Sequence, residues 1–247
     1  MQMQVAVDRA VMSHSSQINS GLPRSVELFL ALILLVLCTP LFALLAFAVA
    51  ISSPGPVLFR QERVGRRGRN FMLCKFRSMR PSLGGLQVTV GNDPRVTRVG
   101  KILRKTKLDE LPEFWNVLQG EMSIVGPRPE VPRYVNLGDP MWQLVLEAKP
   151  GITDPVTLRL RNEEDLLALV EGDREKFYLE KLQPFKLKGY ADYLCRRNLL
   201  TDVNLLWKTG IAVIRLSKVH PPTIEEVMAG RFASRSNTPQ EAPRNLA

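Results

Sequence analysis

The stretch VELFLALILLVLCTPLFALLAFAVAI, residues 26–51, is apolar throughout except for Glu27. As one unbroken helix it would be about 39 Å long, which exceeds the roughly 30 Å thickness of a bilayer core. Pro40 lies near its middle, where a proline removes a backbone hydrogen bond and clashes with the carbonyl four residues earlier. The sequence therefore predicts two helical halves with a break at Thr39–Pro40. Each half, at about 20 Å, is too short to cross a bilayer alone.

Basic residues flank both ends of this stretch: Arg24 precedes it, and five arginines follow it between residues 60 and 69. A crossing segment usually has its basic excess on one side only, so this distribution favours a re-entrant helix. The Thr39 hydroxyl could bond a carbonyl freed by the proline. A straight kinked span, a secretory signal ending near residues 48–50 and a buried core helix are the alternatives that the pattern leaves open.

The segments around the apolar stretch differ from it in composition. The N-terminal residues are polar and show no period, and the last residues have the composition of a disordered tail. We therefore expect a flexible arm over 1–22, a membrane-inserted helix over 23–53, a folded domain over 54–217 and a mostly flexible tail over 218–247.

The folded domain has the pattern of a mostly helical α/β domain with short strands. Apolar residues at 57–59 and 71–73 flank a Gly- and Arg-rich turn, which is typical of a hairpin. The apolar period becomes helical from 96 to 118, where Pro112 suits a first turn and Gly120 suits a helix end. One further strand-like run covers residues 86–90, and helical patterns follow at 141–149, 163–170, 173–182, 188–194 and 202–214.

Positive charge is concentrated directly after the apolar stretch. The chain has a net charge of +10 and a pI of about 9.8, which indicates an anionic partner: nucleic acid, anionic lipid or a phosphorylated substrate. The basic excess lies within residues 60–107, where it would attract anionic headgroups by about 1 kcal/mol per residue. Headgroup attraction alone would explain the arginines at 63–69. No helix-turn-helix, zinc or RNP-type motif accompanies them, so no nucleic-acid partner is expected.

The cysteines and histidines are too few and too scattered to indicate disulfides, a zinc site or histidine-based catalysis. Cys38, Cys74 and Cys195 form no C-x-x-C pair, which argues against a disulfide framework or a zinc site and fits a reducing compartment. His14 and His220 lie near the two tails. A catalytic acid, base or nucleophile is therefore expected to be a carboxylate.

The segment RKTKLDELP, residues 104–112, places Asp109 and Glu110 between a cationic helix and a proline-initiated one. A helix N-terminus favours negative charge and lowers carboxylate pKa values, so both groups are expected to be ionised near neutrality. Helix capping is the alternative explanation of the pair, and on this motif alone it ranks ahead of catalysis.

Two further motifs follow, GPRP at 126–129 and KPGIT at 149–153. Pro127 and Pro129 fix the backbone on both sides of Arg128 and aim its guanidinium, which suits bidentate phosphate binding. A surface turn with a solvated arginine is the alternative. Two carboxylates beside several arginines suit a divalent cation and a diphosphate in one site, and Mg²⁺ prefers carboxylate and phosphate oxygens.

Three blocks in this order resemble the bacterial sugar transferase family: FRQERVGRRGRNFMLCKFRSM, GNDPRVTRVGKILRKTKLDELPEFWNVLQGEMSIVGPRPEVPRY and KPGIT. These are monotopic polyprenyl-phosphate hexose-1-phosphate transferases, and the resemblance covers roughly residues 24–215. The resemblance is to a minimal form of the family, which lacks the four extra transmembrane helices of larger relatives. It implies a re-entrant membrane helix and a small cytosolic catalytic domain with interfacial helices, on the cytoplasmic side of the bacterial inner membrane.

The resemblance also implies a reaction. A sugar-1-phosphate would pass from a UDP-sugar to undecaprenyl phosphate, as the first membrane step of exopolysaccharide, capsule or O-antigen synthesis. Asp109 would attack the sugar-bearing phosphorus, release UMP and form an aspartyl sugar-phosphate, since a carboxylate nucleophile splits one hard step into two. Glu110 would handle protons or hold Mg²⁺ together with Asp109.

The remaining site residues are carried over in the same way. Arg104 and Arg128 would hold phosphates, and Lys75 and Arg77 would make secondary phosphate or headgroup contacts. Asp202 matches an aspartate of the family's C-terminal helix, where it would cap the helix or support its neighbours.

The chain departs from the family pattern at two places. The membrane break is Thr39–Pro40 instead of Ser-Pro, which should still bend the helix. Residues 154–164 read DPVTLRLRNEE, where many relatives have GWAQVNGR, so nucleotide or sugar selectivity does not carry over. A homodimer and contacts with downstream glycosyltransferases stay open. The alternative hypothesis is a catalytically inactive, polybasic protein that binds the membrane surface.

Overall fold

The computed structural model describes residues 20–80, 93–213, 221–230 and 232 of the chain. The strand-like run at 86–90, both histidines, nearly all of the N-terminal arm and most of the tail lie outside these residues. Within them the fold is mostly helical, with two small two-stranded sheets, so the predicted mostly helical α/β class is confirmed.

The apolar stretch forms two helices, α1 (Arg24–Leu37) and α2 (Thr39–Ser52), bent by 62° at the residue between them. Pro40 is the second residue of α2, where its missing N–H costs nothing because first-turn amides have no partner within the helix. The Thr39 hydroxyl donates to the carbonyl of Leu35 at 3.0 Å. The predicted break is confirmed, one residue earlier than expected, at Cys38.

Neither helix alone has the length and apolar content needed to cross a membrane, within the described residues, whereas the bent pair together does. The pair lies against the folded domain on one side only. Ala31 of α1 and Val49 of α2 are completely buried, while Phe29, Leu37 and Phe47 expose between 63% and 73% of their surface. An apolar face of this extent is typical of a surface that contacts another molecule or a membrane.

The one acidic residue of the apolar stretch, Glu27, is buried against the domain. Its carboxylate accepts hydrogen bonds from the Ile124 amide at 3.1 Å, the Ser123 hydroxyl at 3.3 Å and the Arg24 guanidinium at 3.1 Å. Arg24 also donates to the carbonyls of Val117 and Met122. Because a buried charge is tolerated only when it is paired, this network fixes α1 to the domain at one position.

Strands β1 (Leu58–Val64) and β2 (Asn70–Phe76) form an antiparallel hairpin in which Phe59 pairs with Lys75. The turn between them is a short 3₁₀ helix, and both Arg67 and Gly68 have a positive φ there. The predicted hairpin is confirmed.

Helix α3 (Arg98–Thr106) begins with Thr97, whose hydroxyl accepts from the Gly100 amide at 2.8 Å. It ends where Lys107 adopts the left-handed conformation with φ 60°. The chain then turns through a 3₁₀ helix at Leu108–Glu110. The carboxylates of this turn are thereby held on a short, sharply bent segment between two helices.

Helix α4 (Glu113–Gln119) follows directly, with Pro112 before its first residue and Gly120, at φ 86°, after its last. Both features agree with the predicted ends. Strand β3 (Ser123–Val125) then pairs in parallel with β4 (Gly151–Thr153). This pairing brings the GPRP and KPGIT motifs next to each other.

The rest of the domain is helical and packs around a core from Trp142, Val156, Leu182 and Phe185. A 3₁₀ turn covers Pro132–Tyr134. The helices are α5 (Pro140–Leu146), α6 (Pro155–Arg159), α7 (Glu163–Ala168), α8 (Arg174–Phe177), α9 (Gln183–Arg196), α10 (Leu199–Val213) and α11 (Ile224–Met228).

Two segments predicted as separate helices, 173–182 and 188–194, form one continuous rod. Helix α8 continues through a π-helical segment, Tyr178–Leu182, into α9. Pro184 is the second residue of α9. A π segment changes the hydrogen-bond spacing, which allows the rod to continue past a proline.

Asp202 does not cap a helix, which corrects the capping prediction. It is the fourth residue of α10 and is completely buried. Its carboxylate accepts from the Tyr193 hydroxyl at 2.6 Å, from the Arg197 guanidinium at 2.9 and 3.0 Å and from the Leu22 amide at 2.9 Å. It therefore ties the start of the described chain to α9 and α10, which is the supporting role also expected for it.

Candidate active site

A cavity of about 1810 Å³ lies between the β1–β2 hairpin, α3 and the segments α6 to α9. Every side chain predicted to act in catalysis or phosphate binding lines this cavity. They are Lys75, Arg77, Arg104, Asp109, Glu110 and Arg128. The tertiary structure thus brings together residues from three separate parts of the sequence.

The loop that carries Arg128 is fixed from both sides. The Pro127 carbonyl accepts from the Gly151 amide at 2.9 Å, and the Pro129 carbonyl accepts from the Arg63 guanidinium at 3.0 Å. Arg128 donates to Glu110 through two nitrogens, at 2.6 and 3.3 Å. The solvated surface turn considered as an alternative is therefore wrong, because the arginine is half-buried and bound to the carboxylate turn.

Asp109 and Glu110 are both buried, but their environments differ. Burial alone would raise the pKa of Glu110, yet the positive charges of Arg128, Lys107 and Lys75 outweigh it and hold that pKa well below its usual value. For Asp109, burial and the negative charge of Glu110 together raise the pKa. The prediction of lowered carboxylate pKa values is confirmed for Glu110 and wrong for Asp109.

One oxygen of Asp109 has no partner among the described residues. The side chain is 6% exposed, and its Oδ1 is buried without a hydrogen bond. A buried, unpaired carboxylate oxygen costs free energy unless a ligand satisfies it. Asp109 also lines the cavity, so a ligand bound there would lie beside this carboxylate.

Cationic side chains surround the two carboxylates. The side chain of Lys75, in β2, makes no hydrogen bond to a described residue, and burial together with the charges of Arg128 and Arg63 lowers its pKa to about 8. Arg104, in the last turn of α3, pairs with Glu164, and burial lowers its pKa despite the opposing charge of Asp109. A negatively charged ligand would relieve the mutual repulsion of these cations.

Arg77 has a different role from the phosphate or headgroup contact predicted for it. Its guanidinium donates to the carbonyls of Pro56 at 2.5 Å, Ser53 at 2.6 Å and Val49 at 3.4 Å. These carbonyls belong to the end of α2 and the turn that follows. Arg77 lines the cavity, but its charge satisfies the carboxyl end of a helix.

A third acidic residue, not singled out from the sequence, lies beside the site. Glu113 is 1% exposed, and its Oε1 has no hydrogen-bond partner among the described residues. Burial, followed by the negative charge of Glu110, raises its pKa to about 7. Its spacing of three residues from Glu110 in a helical segment was the available signal, since such residues share a face.

A second polar wall of the cavity was also missed. It comes from the turn after β3, from α7 and from the α8–α9 rod, and includes Glu130, Glu163, Tyr178, Lys186 and Tyr190. These side chains were assigned no role from the sequence. The segment 154–164, where the chain departs from the family pattern, lines this cavity from Val156 onward.

The site fits Mg²⁺ only in part. Among the described residues there is no cluster of three or more His, Cys, Asp or Glu side chains that would enclose a metal ion. Mg²⁺ is, however, commonly held by one or two carboxylates together with substrate phosphates. The unpaired oxygen of Asp109, beside Glu110, suits such a shared cation.

Comparison with known families is consistent with this geometry. The family model described as bacterial sugar transferase matches residues 18–216, which is most of the chain. The chain belongs to this family. Asp109, Glu110, Arg104, Arg128 and Lys75 all lie within the matched region.

Several sugar transferases are similar to this chain. A UDP-glucose:undecaprenyl-phosphate glucose-1-phosphate transferase of Escherichia coli K12 is 43% identical over 179 residues, which cover 70% of this chain and 38% of that protein. A UDP-N-acetylgalactosamine-undecaprenyl-phosphate N-acetylgalactosaminephosphotransferase of Aeromonas hydrophila is 41% identical over 153 residues, 57% of this chain and 36% of that protein. The chain thus spans little more than a third of the length of these two relatives.

A relative from Caulobacter vibrioides matches over a larger share of its own length. It is a UDP-glucose:undecaprenyl-phosphate glucose-1-phosphate transferase, 36% identical over 191 residues, which cover 75% of this chain and 67% of that protein. The sugars in the relatives' names differ, so family membership alone does not assign a sugar to this chain.

Proposed function

We propose that this protein transfers a sugar-1-phosphate from a UDP-sugar to undecaprenyl phosphate at the bacterial inner membrane. The observation that carries the proposal is the unpaired Oδ1 of Asp109, buried in a cavity that Lys75, Arg104 and Arg128 also line. The names of the relatives from three bacteria, all undecaprenyl-phosphate sugar phosphotransferases, support the substrate classes.

In the first step, Asp109 attacks the phosphorus that bears the sugar. A bond forms between the carboxylate oxygen and phosphorus, the bond from phosphorus to the UMP oxygen breaks, and UMP leaves. An aspartyl sugar-phosphate remains. The attack requires an ionised carboxylate, and the raised pKa of the Asp109 side chain makes that oxygen a better nucleophile once it has lost its proton.

In the second step, a phosphate oxygen of undecaprenyl phosphate attacks the same phosphorus. The bond from phosphorus to Asp109 breaks, and the carboxylate is restored. Lys75, Arg104 and Arg128 hold the phosphate oxygens in both steps, because fixed positive charges stabilise negative charge that spreads over a transferring phosphoryl group.

Asp109 and Glu110 would hold Mg²⁺ together with the donor's phosphate oxygens. When bound, the ion would neutralise charge on the leaving group. Arg128 keeps Glu110 ionised and positioned, since its two hydrogen bonds fix both oxygens of that carboxylate.

The helix pair would bring the lipid acceptor to the site. We infer that α1 and α2 enter the membrane as a re-entrant hairpin with the domain on the cytoplasmic side, because their outward faces expose Phe29, Leu37 and Phe47. Pro56 and Val57, which follow α2 within a few residues, line the cavity. An acceptor phosphate at the membrane surface would therefore lie close to the cationic side chains.

The experiment is UMP release by the full chain in lipid nanodiscs that contain undecaprenyl phosphate, with Mg²⁺ and a panel of UDP-sugars. We expect UMP from at least one sugar, and labelled sugar phosphate trapped on the wild-type protein when the acceptor is omitted. Asp109→Asn should abolish both signals, while the matched surface variant Asp192→Asn should retain them. Full turnover by Asp109→Asn would refute the assigned nucleophile.

No UMP release from any UDP-sugar would instead favour the alternative hypothesis, an inactive polybasic protein that binds the membrane surface. That protein would bind anionic vesicles equally well with Mg²⁺ and with EDTA.

A further inference from the structure

The second polar wall of the cavity has no part in the proposed transfer steps. Its side chains come from elements other than the carboxylate turn: Glu130 from the loop after β3, Glu163 from the start of α7, and Tyr178, Lys186 and Tyr190 from the α8–α9 rod. These five side chains are defined here as the polar wall.

One helical face presents most of the polar wall. Tyr178, Lys186 and Tyr190 are spaced by eight and four residues, so they lie on the same side of the rod. Each is at most 7% exposed. The rod changes to π-helical hydrogen bonding at Tyr178, a feature that occurs frequently at functional sites within α-helices.

The polar wall is ordered by its own contacts. The Lys186 ammonium donates to Glu163 at 3.1 Å and to the Tyr178 hydroxyl at 3.2 Å, and the Tyr178 hydroxyl donates to Glu130. The Tyr190 hydroxyl makes no hydrogen bond to a described residue, although its side chain is almost fully buried and lines the cavity. The polar wall therefore retains unused hydrogen-bonding capacity beside a cavity.

The composition of the polar wall disfavours a phosphate group as its ligand, and one of its two aromatic rings is not free to stack on a base. Two carboxylates, Glu130 and Glu163, would repel a phosphate group. The ring of Tyr178 is already covered, with Lys186 at 5.0 Å and the Tyr134 ring at 5.5 Å from its centroid, so it offers no free face for stacking a base. An uncharged group with many hydroxyls suits carboxylate acceptors next to ammonium and phenol donors.

We propose that Glu163, Lys186 and Tyr190 form the subsite that binds the hexose of the donor and discriminates among sugars. This inference rests on the proposed function, because it takes the donor to be a UDP-sugar. A subsite that hydrogen-bonds sugar hydroxyls rejects analogues in which those hydroxyls are moved or replaced, since buried polar groups would then lose their partners.

Two conservative variants test this subsite. Tyr190→Phe removes one hydroxyl and keeps the ring, and Glu163→Gln keeps the shape and removes the charge. Affinities for UMP and for UDP-glucose, UDP-galactose, UDP-N-acetylglucosamine and UDP-N-acetylgalactosamine would be measured by calorimetry on the full chain in nanodiscs. Glu171→Gln, an exposed substitution of the same type, is the matched control, and thermal midpoints report the folding of every variant.

We expect the wild-type protein to prefer one or two of the sugars. At least one of the two subsite variants should weaken the preferred UDP-sugar by about tenfold, equivalent to about 1.4 kcal/mol, and leave UMP affinity within about twofold. Equal weakening of UMP and every UDP-sugar, or no change in any affinity, would overturn the subsite. Failure of the wild-type protein to bind any UDP-sugar would also overturn it.

The two proposals can fail separately. Selective sugar binding without UMP release would leave the subsite standing and remove the transfer reaction. UMP release with unaltered sugar preference in both folded variants would leave the transfer reaction standing and remove the subsite.

Discussion

The guanidinium of Arg128 donates two hydrogen bonds to the carboxylate of Glu110, with Nη2 2.6 Å from Oε1 and Nη1 3.3 Å from Oε2. This pairing gives two adjacent carboxylates different environments. Glu110 is held ionised and fixed, whereas Asp109, one residue earlier, has an oxygen without a partner among the residues that the structure describes. Burial and the charge of Glu110 raise the pKa of the Asp109 carboxyl. The two carboxylates differ because, among the described residues, only Glu110 accepts hydrogen bonds from two nitrogens of one arginine.

Replacement of Arg128 by lysine tests the importance of this two-nitrogen contact with Glu110. Lysine keeps the positive charge but cannot bind both oxygens of Glu110 in one plane, so the carboxylate loses its fixed orientation. We expect kcat/KM for UMP release to fall by about 100-fold, equivalent to about 2.7 kcal/mol of transition-state stabilisation. Arg133→Lys replaces a largely exposed arginine. It is the control and should leave kcat/KM unchanged. An unchanged kcat/KM for Arg128→Lys would contradict the role assigned to the contact between Arg128 and Glu110.

The raised pKa of Glu113 predicts that stability falls as the pH rises. The folded protein binds the Glu113 proton more tightly than the unfolded chain, because the pKa is about 7 when folded against 4.5 ordinarily. The resulting stabilisation is fully present below pH 4.5 and is lost as the pH rises through about 7. Glu113→Gln should remove this loss and raise stability at pH 8 by on the order of 2 kcal/mol relative to the wild-type protein.

The measurement is the difference in thermal midpoint between pH 5 and pH 8 in nanodiscs, for the wild-type protein and the variant. Glu171→Gln, which changes an exposed side chain, should show the same pH dependence as the wild-type protein. If Glu113→Gln did too, the buried carboxyl would not be protonated in the fold.

Arg77 is predicted to support the fold and not to bind phosphate. Arg77→Met would leave the buried carbonyl of Ser53 and the partly buried carbonyl of Pro56 without this donor, at a cost of about 2–4 kcal/mol in the free energy of unfolding. The thermal midpoint should fall clearly, and the remaining folded protein should bind UMP with wild-type affinity below that midpoint. Normal stability with lost UMP affinity would restore the phosphate role predicted from the sequence.

The buried Asp202 network predicts a large loss of stability from a small change. Asp202→Ala would leave the Arg197 guanidinium buried without its partner, which typically costs about 3–5 kcal/mol. Chemical denaturation of the purified protein would measure the loss. The exposed pair Asp192–Arg196 on the same rod provides the comparison, since Asp192→Ala should cost less than about 1 kcal/mol. Similar losses from the two variants would contradict the assigned network.

Local rules accounted for many elements of the fold. Pro40 bends the apolar stretch because no proline can donate the backbone hydrogen bond of a continuous helix. Gly120 ends α4 because glycine adopts its positive φ without strain. Each feature depends on a few neighbouring residues, so each could be read from the sequence. The proline at 184 shows the limit of such rules, because the rod continues past it through a π-helical segment.

The sequence by itself singled out Asp109, Glu110 and Arg128 as candidates for the chemistry, since their motifs are short and ordered along the chain. The tertiary structure alone decided that Asp109 is buried with a raised pKa, that Arg77 turns to the end of α2, and that a polar wall faces the same cavity. The physical reason is that burial and electrostatic interactions depend on distance in space. Residues such as Glu163 and Lys186 meet only after the chain has folded.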